Sequence, residues 1–208
     1  MTPSLRLSRR AVVIGVVFLV GFALAGAGLA SSVYVFQNED ALTRSLAGWL
    51  RLPAARVGSR VVTYDDYLSH LGSLRLFLEG PLAAAQGLGG PLTPAHRQSA
   101  LDRAMRLAAI DELAQAAELT ATPLDVERAY EGMLAQAGTS TTPGELQDFL
   151  RDQFGWNEEE FKRYVIRPAL LEDASRVKRT RETSDETSFD RELEERMKRK
   201  DVVKYLRF

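Results

Sequence analysis

From Ala11 to Phe36 the chain runs 26 residues without one charged side chain. No other feature limits its fold so much, because a membrane-spanning helix needs about 20 such residues. Arg6, Arg9 and Arg10 precede the run and no acid accompanies them. Cations on one flank predict a cytoplasmic N-terminus. Tyr34 and Phe36 fall where interfacial aromatics sit. The expected organisation is a basic stretch at 1–10, a transmembrane anchor at 11–36, a juxtamembrane segment at 37–56 and a domain at 57–208 outside the cytoplasm. The rival is a secretory signal cleaved near Ala30, where Gly28 and Ala30 supply small residues. The continuation of the run through Val33, Tyr34, Val35 and Phe36 favours the uncleaved anchor.

Beyond residue 36 lie 24 of the 27 basic side chains and all 28 acidic ones, a net charge of −4. Such a body lacks the cationic face that releases phosphate counterions, which argues against nucleic acid as a partner. The chain has no cysteine. That removes disulfides, thiol chemistry and cysteine-ligated metals, and it suits an oxidising compartment. The two histidines, His70 and His96, belong to no ligand pattern. His70 is expected on a helix, partly buried or solvated, and His96 in an exposed first turn. "GLGG" at 87–90 lacks the Lys-Ser/Thr of a phosphate loop. Asp65-Asp66 and Glu158-Glu159-Glu160 suit helix N-termini, where the macrodipole favours acids. No catalytic residue, metal or cofactor is expected.

Thr-Pro pairs at 93–94, 122–123 and 142–143 punctuate the body. A threonine oxygen caps an orphan amide and proline fits the first helical turn. Helices are expected from Tyr64 to Leu78, over 94–118, from Pro123 up to Gly138, from Pro143 up to Gly155, and over 158–178 with a kink at Pro168. Thr63 and Asp66 form a capping box for the first. The wide apolar arc of 94–118 predicts a central position. Residues 80–94 read as a flexible loop, and 37–56 as a short amphipathic helix through Leu42, Leu46, Trp49 and Leu50 that Pro53 stops. Residues 178–188 read as a polar linker. The next helix, 189–200, reads as a surface helix with Phe189, Leu193 and Met197 in a stripe and i,i+4 pairs Glu192/Arg196, Glu194/Lys198 and Glu195/Arg199. One short strand at 56–62 is expected to pair with a final strand at 201–208. The fold class is mainly α: a bundle of about five or six helices with a small two-stranded β closure, after one N-terminal transmembrane helix.

The stretch "TTPGELQDFLRDQFGWNEEEFKRYV" at 141–165 packs two helix starts around a Phe-Gly-Trp-Asn break. With "ARVGSRVVTYDDYLSHLGSL", "RQSALDRAMRLAAIDELAQAAEL" and "TATPLDVERAYEGMLAQAG" before it, the order of elements over about residues 55–180 resembles the N-terminal chaperone domain of SurA, shared in outline with PpiD- and PrsA-type foldases. The family's Val-Asn-Gly is here "VGSR". Only some thirty residues follow Val177, too few for the parvulin-type isomerase module of such foldases. The resemblance implies a chaperone-like module without isomerase activity, whose partners are unfolded or nascent secreted and membrane proteins; the uncharged run at 11–36 separately makes the lipid bilayer an expected partner. It makes Met133, Phe149, Phe154, Trp156, Phe161 and Tyr164 candidate peptide-binding residues. Read from the residues alone, each of the aromatics suits a core position better than a client-facing one, and methionine adapts to either setting. The alternative function is a structural or assembly subunit docking one membrane partner.

Overall fold

Gly58 takes φ +54, a conformation glycine adopts without strain. The chain reverses there, so the expected single strand is two: β1 (Pro53–Val57) and β2 (Arg60–Thr63), joined by Gly58 and Ser59. A computed structural model of the protein describes residues 50–137 and 143–208, together with Val33. The expected anchor 11–36 apart from Val33, residues 37–49 of the expected 37–56 helix, and the caps at Gly138, Thr141 and Thr142 lie outside the described residues; the described end of that helix is instead a turn at Leu50-Arg51 followed by β1. Among the described residues no helix is long and apolar enough to cross a membrane.

Arg51–Phe208 forms one compact unit. The C-terminal strand, β3 (Val202–Lys204), pairs with β1 antiparallel through Val57↔Val202, Arg56↔Val203 and Ala55↔Lys204. The anticipated N-to-C pairing therefore forms, but in a three-stranded sheet of order β2-β1-β3, not a two-stranded one. The register shifts between Pro53 and Ala55, and the Ala54 carbonyl accepts from the Tyr205 and Leu206 amides at 3.0 and 3.4 Å. Val203 and Tyr205 face outward, and Leu206 is buried. Phe208 stacks on Tyr67 with centroids 5.7 Å apart.

The helices are α1 (Tyr64–Glu79), α2 (Pro81–Ala85), α3 (Pro94–Ala116), α4 (Pro123–Ala137), α5 (Pro143–Phe154), α6 (Glu158–Phe161), α7 (Arg167–Thr183) and α8 (Ser188–Lys198). Capping boxes open three of them: the expected Thr63 with Asp66, and two where only a cap was expected, Thr93 with His96 and Asn157 with Glu160. Thr122 and Asp125 exchange the same pair of bonds at 2.9 and 3.2 Å. A π-helical turn, Lys162–Ile166, links α6 to α7 without a break. Proline has no amide hydrogen and its ring crowds the carbonyl four residues back. The irregularity expected at Pro168 thus takes the form of a wide turn just upstream of it. Helix α2 corrects the reading of 80–94 as loop throughout, and α7 absorbs most of the expected linker, ending at Ser184 with φ +57.

Helix α3 is central. It packs on α1, α7, α8 and both hairpin strands, burying Leu101, Met105 and Ile110 among small alanines. Helix α8 is not a surface helix. Phe189 and Leu193 are each 1% exposed, and Arg196, not Met197, completes its buried face. Of the three expected i,i+4 pairs only Glu194–Lys198 forms, at 3.3 Å. Glu192 instead binds Arg179 on α7, and Arg196 reaches Glu112 on α3 at 2.8 Å and Asp201 at 3.0 Å. Partners on neighbouring helices prevail here because packing has already brought them within reach of a partly desolvated charge.

Candidate functional site: an aromatic turn beside an apolar cavity

Helix α5 ends because Gly155 adopts φ +68 and donates its amide to the Arg151 carbonyl at 2.9 Å. This is a left-handed helix terminus. Two residues later Asn157 caps α6, so the break is only Gly155-Trp156 long. Ser73 Oγ lies 2.8 Å from the Phe154 carbonyl oxygen and ties the turn to α1. A Cβ on Gly155 would stand 2.8 Å from Leu76 Cδ1, so α1 and the turn are in close contact there.

The break organises a ladder of rings. Phe149 meets Phe154 edge-on at 5.9 Å, and Phe154 stacks on Trp156 at 5.5 Å. Trp156 lies 5.9 Å from Tyr164 and 6.2 Å from His70, and His70 meets Tyr164 at 4.9 Å. Exposure falls along the ladder: Phe149 is 49% exposed, Phe154 and Trp156 are half-buried, and Tyr164 is 5% exposed. The Tyr164 hydroxyl donates to Asp66 Oδ1 at 3.2 Å, which also accepts from Arg163 at 2.7 Å. Burial pushes the Tyr164 hydroxyl up to about 12. Burial, reinforced by the Arg103 cation, lowers His70 to about 4, so the ring is neutral at pH 7.

Two cavities meet at His70. One, about 320 Å³, lies between α1, α3 and the turn, walled by Leu74, Phe77, Phe154 and Trp156 with Arg103. The other, about 250 Å³, is charged. Asp111 there binds Arg60 at 2.8 Å and Arg167 at 2.5 Å. His70 Nε2 and Trp156 Nε1 are closed to solvent and have no hydrogen-bond partner among the described residues. A buried unpaired polar atom costs about 1–3 kcal/mol. Two such atoms stand in the wall of the first of these cavities.

Of the six candidate residues, the fold brings four together: Phe149, Phe154, Trp156 and Tyr164. Phe161 stands apart, edge-on to Tyr130 at 6.4 Å. There Lys162 lies over the Tyr130 ring and binds Glu127 at 2.6 Å, holding α4 to the wide turn. Met133 is half-buried on α4, whose packing partner is that same turn. Sequence reasoning left out His70 and Ser73. The signal available was the line Asp66, Ser69, His70 and Ser73 at helical spacing, a polar row running beside the apolar stripe of α1. Among the described residues no group of three or more His, Cys, Asp or Glu is arranged to hold a metal ion. No family model matches the chain, and no curated protein or solved structure is detectably similar to it.

Proposed function

We propose that the protein is a membrane-anchored, extracytoplasmic chaperone-like module that holds unfolded or translocating polypeptides. Residues 11–36 serve as its single anchor, with the N-terminus cytoplasmic; were the anchor cleaved, the same domain would be secreted. The observation that carries the reading is the graded ladder. Phe149 offers an open ring, Phe154 and Trp156 continue the apolar surface inward, and a cavity lies behind them. A client's apolar side chains bury reversibly on such a surface, driven by about 25 cal/mol per Å² of apolar area removed from water. Holding of this kind requires neither nucleotide nor metal, and no isomerase activity is part of the proposal.

A second reading is favoured by one observation: of the four gathered rings only Phe149 is largely exposed. A nearly finished packing suits one fixed membrane partner better than many clients. The test is suppression of aggregation by the full chain, at near-stoichiometric ratios, for several unrelated unfolded proteins. Suppression of most of them, weakened by Phe149→Ser, supports the chaperone reading. Suppression of none, from a folded protein, discards it in favour of the single partner, to be sought by crosslinking from position 149.

A further inference from the structure

The apolar cavity of about 320 Å³ between α1, α3 and the turn has one charged side chain in its lining, Arg103, on the third turn of α3. Arg103 is exposed, and among the described residues it forms no hydrogen bond and no ion pair. The acids that could have neutralised it are engaged elsewhere. Asp102, its neighbour in sequence, holds Lys204 at 2.7 Å and Gln98 at 2.9 Å. Asp66, one turn before His70, holds Arg163 at 2.7 Å. The Arg103 charge nevertheless reaches inward, since it helps to hold the buried His70 ring neutral. A lone guanidinium on an otherwise apolar wall sets the character of what fits there: an apolar group accompanied by one negative charge. A dianion would lack a second cation, because no other charged side chain lines this cavity.

Phe154 and Trp156 belong both to the cavity wall and to the ring ladder, and Phe149 extends that ladder outward. An occupant that fills the cavity can therefore continue over the rings, which suits an extended chain better than a single small acid. We infer that Arg103 determines the charge preference of this site: the cavity takes a bulky apolar side chain of a polypeptide flanked by Asp or Glu, and disfavours one flanked by Lys or Arg. A flanking carboxylate can accept two parallel N–H bonds from the guanidinium. The apolar side chain beside it excludes water from the pair, which strengthens the attraction. A flanking ammonium meets a like charge and finds no acid in the lining to offset it. The preference runs against the net charge of −4 beyond residue 36, which by itself would draw basic clients. The inference rests on the reading that the aromatic turn binds polypeptides.

The test uses the full chain in phosphatidylcholine nanodiscs at about 0.15 M salt, where long-range charge effects are screened beyond about 8 Å. Three short dye-labelled peptides are identical except that their phenylalanine is flanked on both sides by Glu, by Gln or by Lys. Fluorescence anisotropy should give affinities in that order, with about 3–10-fold between the Glu and Gln peptides. Arg103→Gln should bring the three affinities together, and Arg103→Glu should invert their order. Arg103 is exposed and unpaired among the described residues, so both variants should melt as the parent does. Lys198→Gln removes an exposed cation outside the cavity and should keep the parental order. A folded parent that binds the three peptides alike overturns the inference and leaves the polypeptide reading standing. So does an Arg103→Glu protein that keeps the parental order, or a Lys198→Gln protein that loses the preference as fully as Arg103→Gln. A folded parent that binds none of the peptides overturns the inference and the polypeptide reading together.

Discussion

Gly155→Ala is the substitution that most sharply probes the turn. An L-residue in the left-handed region costs roughly 1–2 kcal/mol, partly offset by the lower chain entropy of alanine in the unfolded state. The new Cβ would also stand 2.8 Å from Leu76 Cδ1. Leu76 is 38% exposed, so its end can move, and the clash adds about 0.5 kcal/mol where a fully packed core would add about 1–3. The sum is about 1.5 kcal/mol, or roughly 3–6 °C in melting temperature for a unit of this size. Circular dichroism melts of Gly155→Ala, Leu76→Ala and the double variant separate the two parts. The double variant should recover the clash but not the backbone strain, leaving a coupling of about 0.5 kcal/mol. Gly155→Asn should cost less than Gly155→Ala, because asparagine visits this region more readily. A Gly155→Ala protein as stable as its parent would mean that the left-handed turn does not exist, and the ring ladder with it.

Removing residues 202–208 takes away β3 and buried Leu206, whose burial alone is worth about 1.5–3 kcal/mol, and should lower the melting temperature by at least about 5 °C; an unchanged melt refutes the pairing with β1. His70 is held at about 4 in the folded protein against 6.5 in its free form. The unfolded state therefore binds the extra proton between those values, and stability rises with pH across that window by up to about 3 kcal/mol and is lost as pH falls from 6.5 toward 4. Urea unfolding of His70→Phe over the same range should show a flatter profile; identical profiles would show that the ring is not buried. Glu112→Ala leaves Arg196, 5% exposed, with Asp201 alone. The expected loss is about 2 kcal/mol, below the roughly 3–5 for a fully enclosed pair because the Glu112 carboxylate is itself 22% exposed. Glu194→Ala, whose partner Lys198 is 75% exposed, should cost no more than about 0.5 kcal/mol by the same urea assay.

Helix starts were legible in the sequence because capping is local chemistry: Thr63, Thr93, Thr122 and Asn157 each need only a residue three positions ahead. The closing strand was legible because Val202, Leu206 and Phe208 alternate with outward residues and require an edge to pair with. The hairpin at Gly58 was not, since its first strand, Pro-Ala-Ala-Arg-Val, has almost no β-branched signal and owes its burial to α3. The role of α8 was hidden for a related reason. Three apolar positions look like a surface stripe until Arg196, paired across 84 residues with Glu112, joins them inside. At the site, the rings of the break were visible as rings, but their order was not. That Phe161 turns to Tyr130 while His70 joins Trp156 depends on which helices pack together, α4 against the stretch after α6 and α1 against the break, contacts between residues far apart in the chain.

The central claim is that an unfolded polypeptide binds at the aromatic turn, and a binding isotherm tests it most directly. A permanently unfolded, reduced and alkylated protein would be titrated with the full chain and with Phe149→Ser, whose half-exposed ring can be removed with little loss of fold. Half the burial of a phenylalanine is worth about 1–1.5 kcal/mol, so the variant should bind roughly 5–10-fold more weakly. Saturable binding that is unchanged by Phe149→Ser, or no binding by the folded parent, would contradict the account.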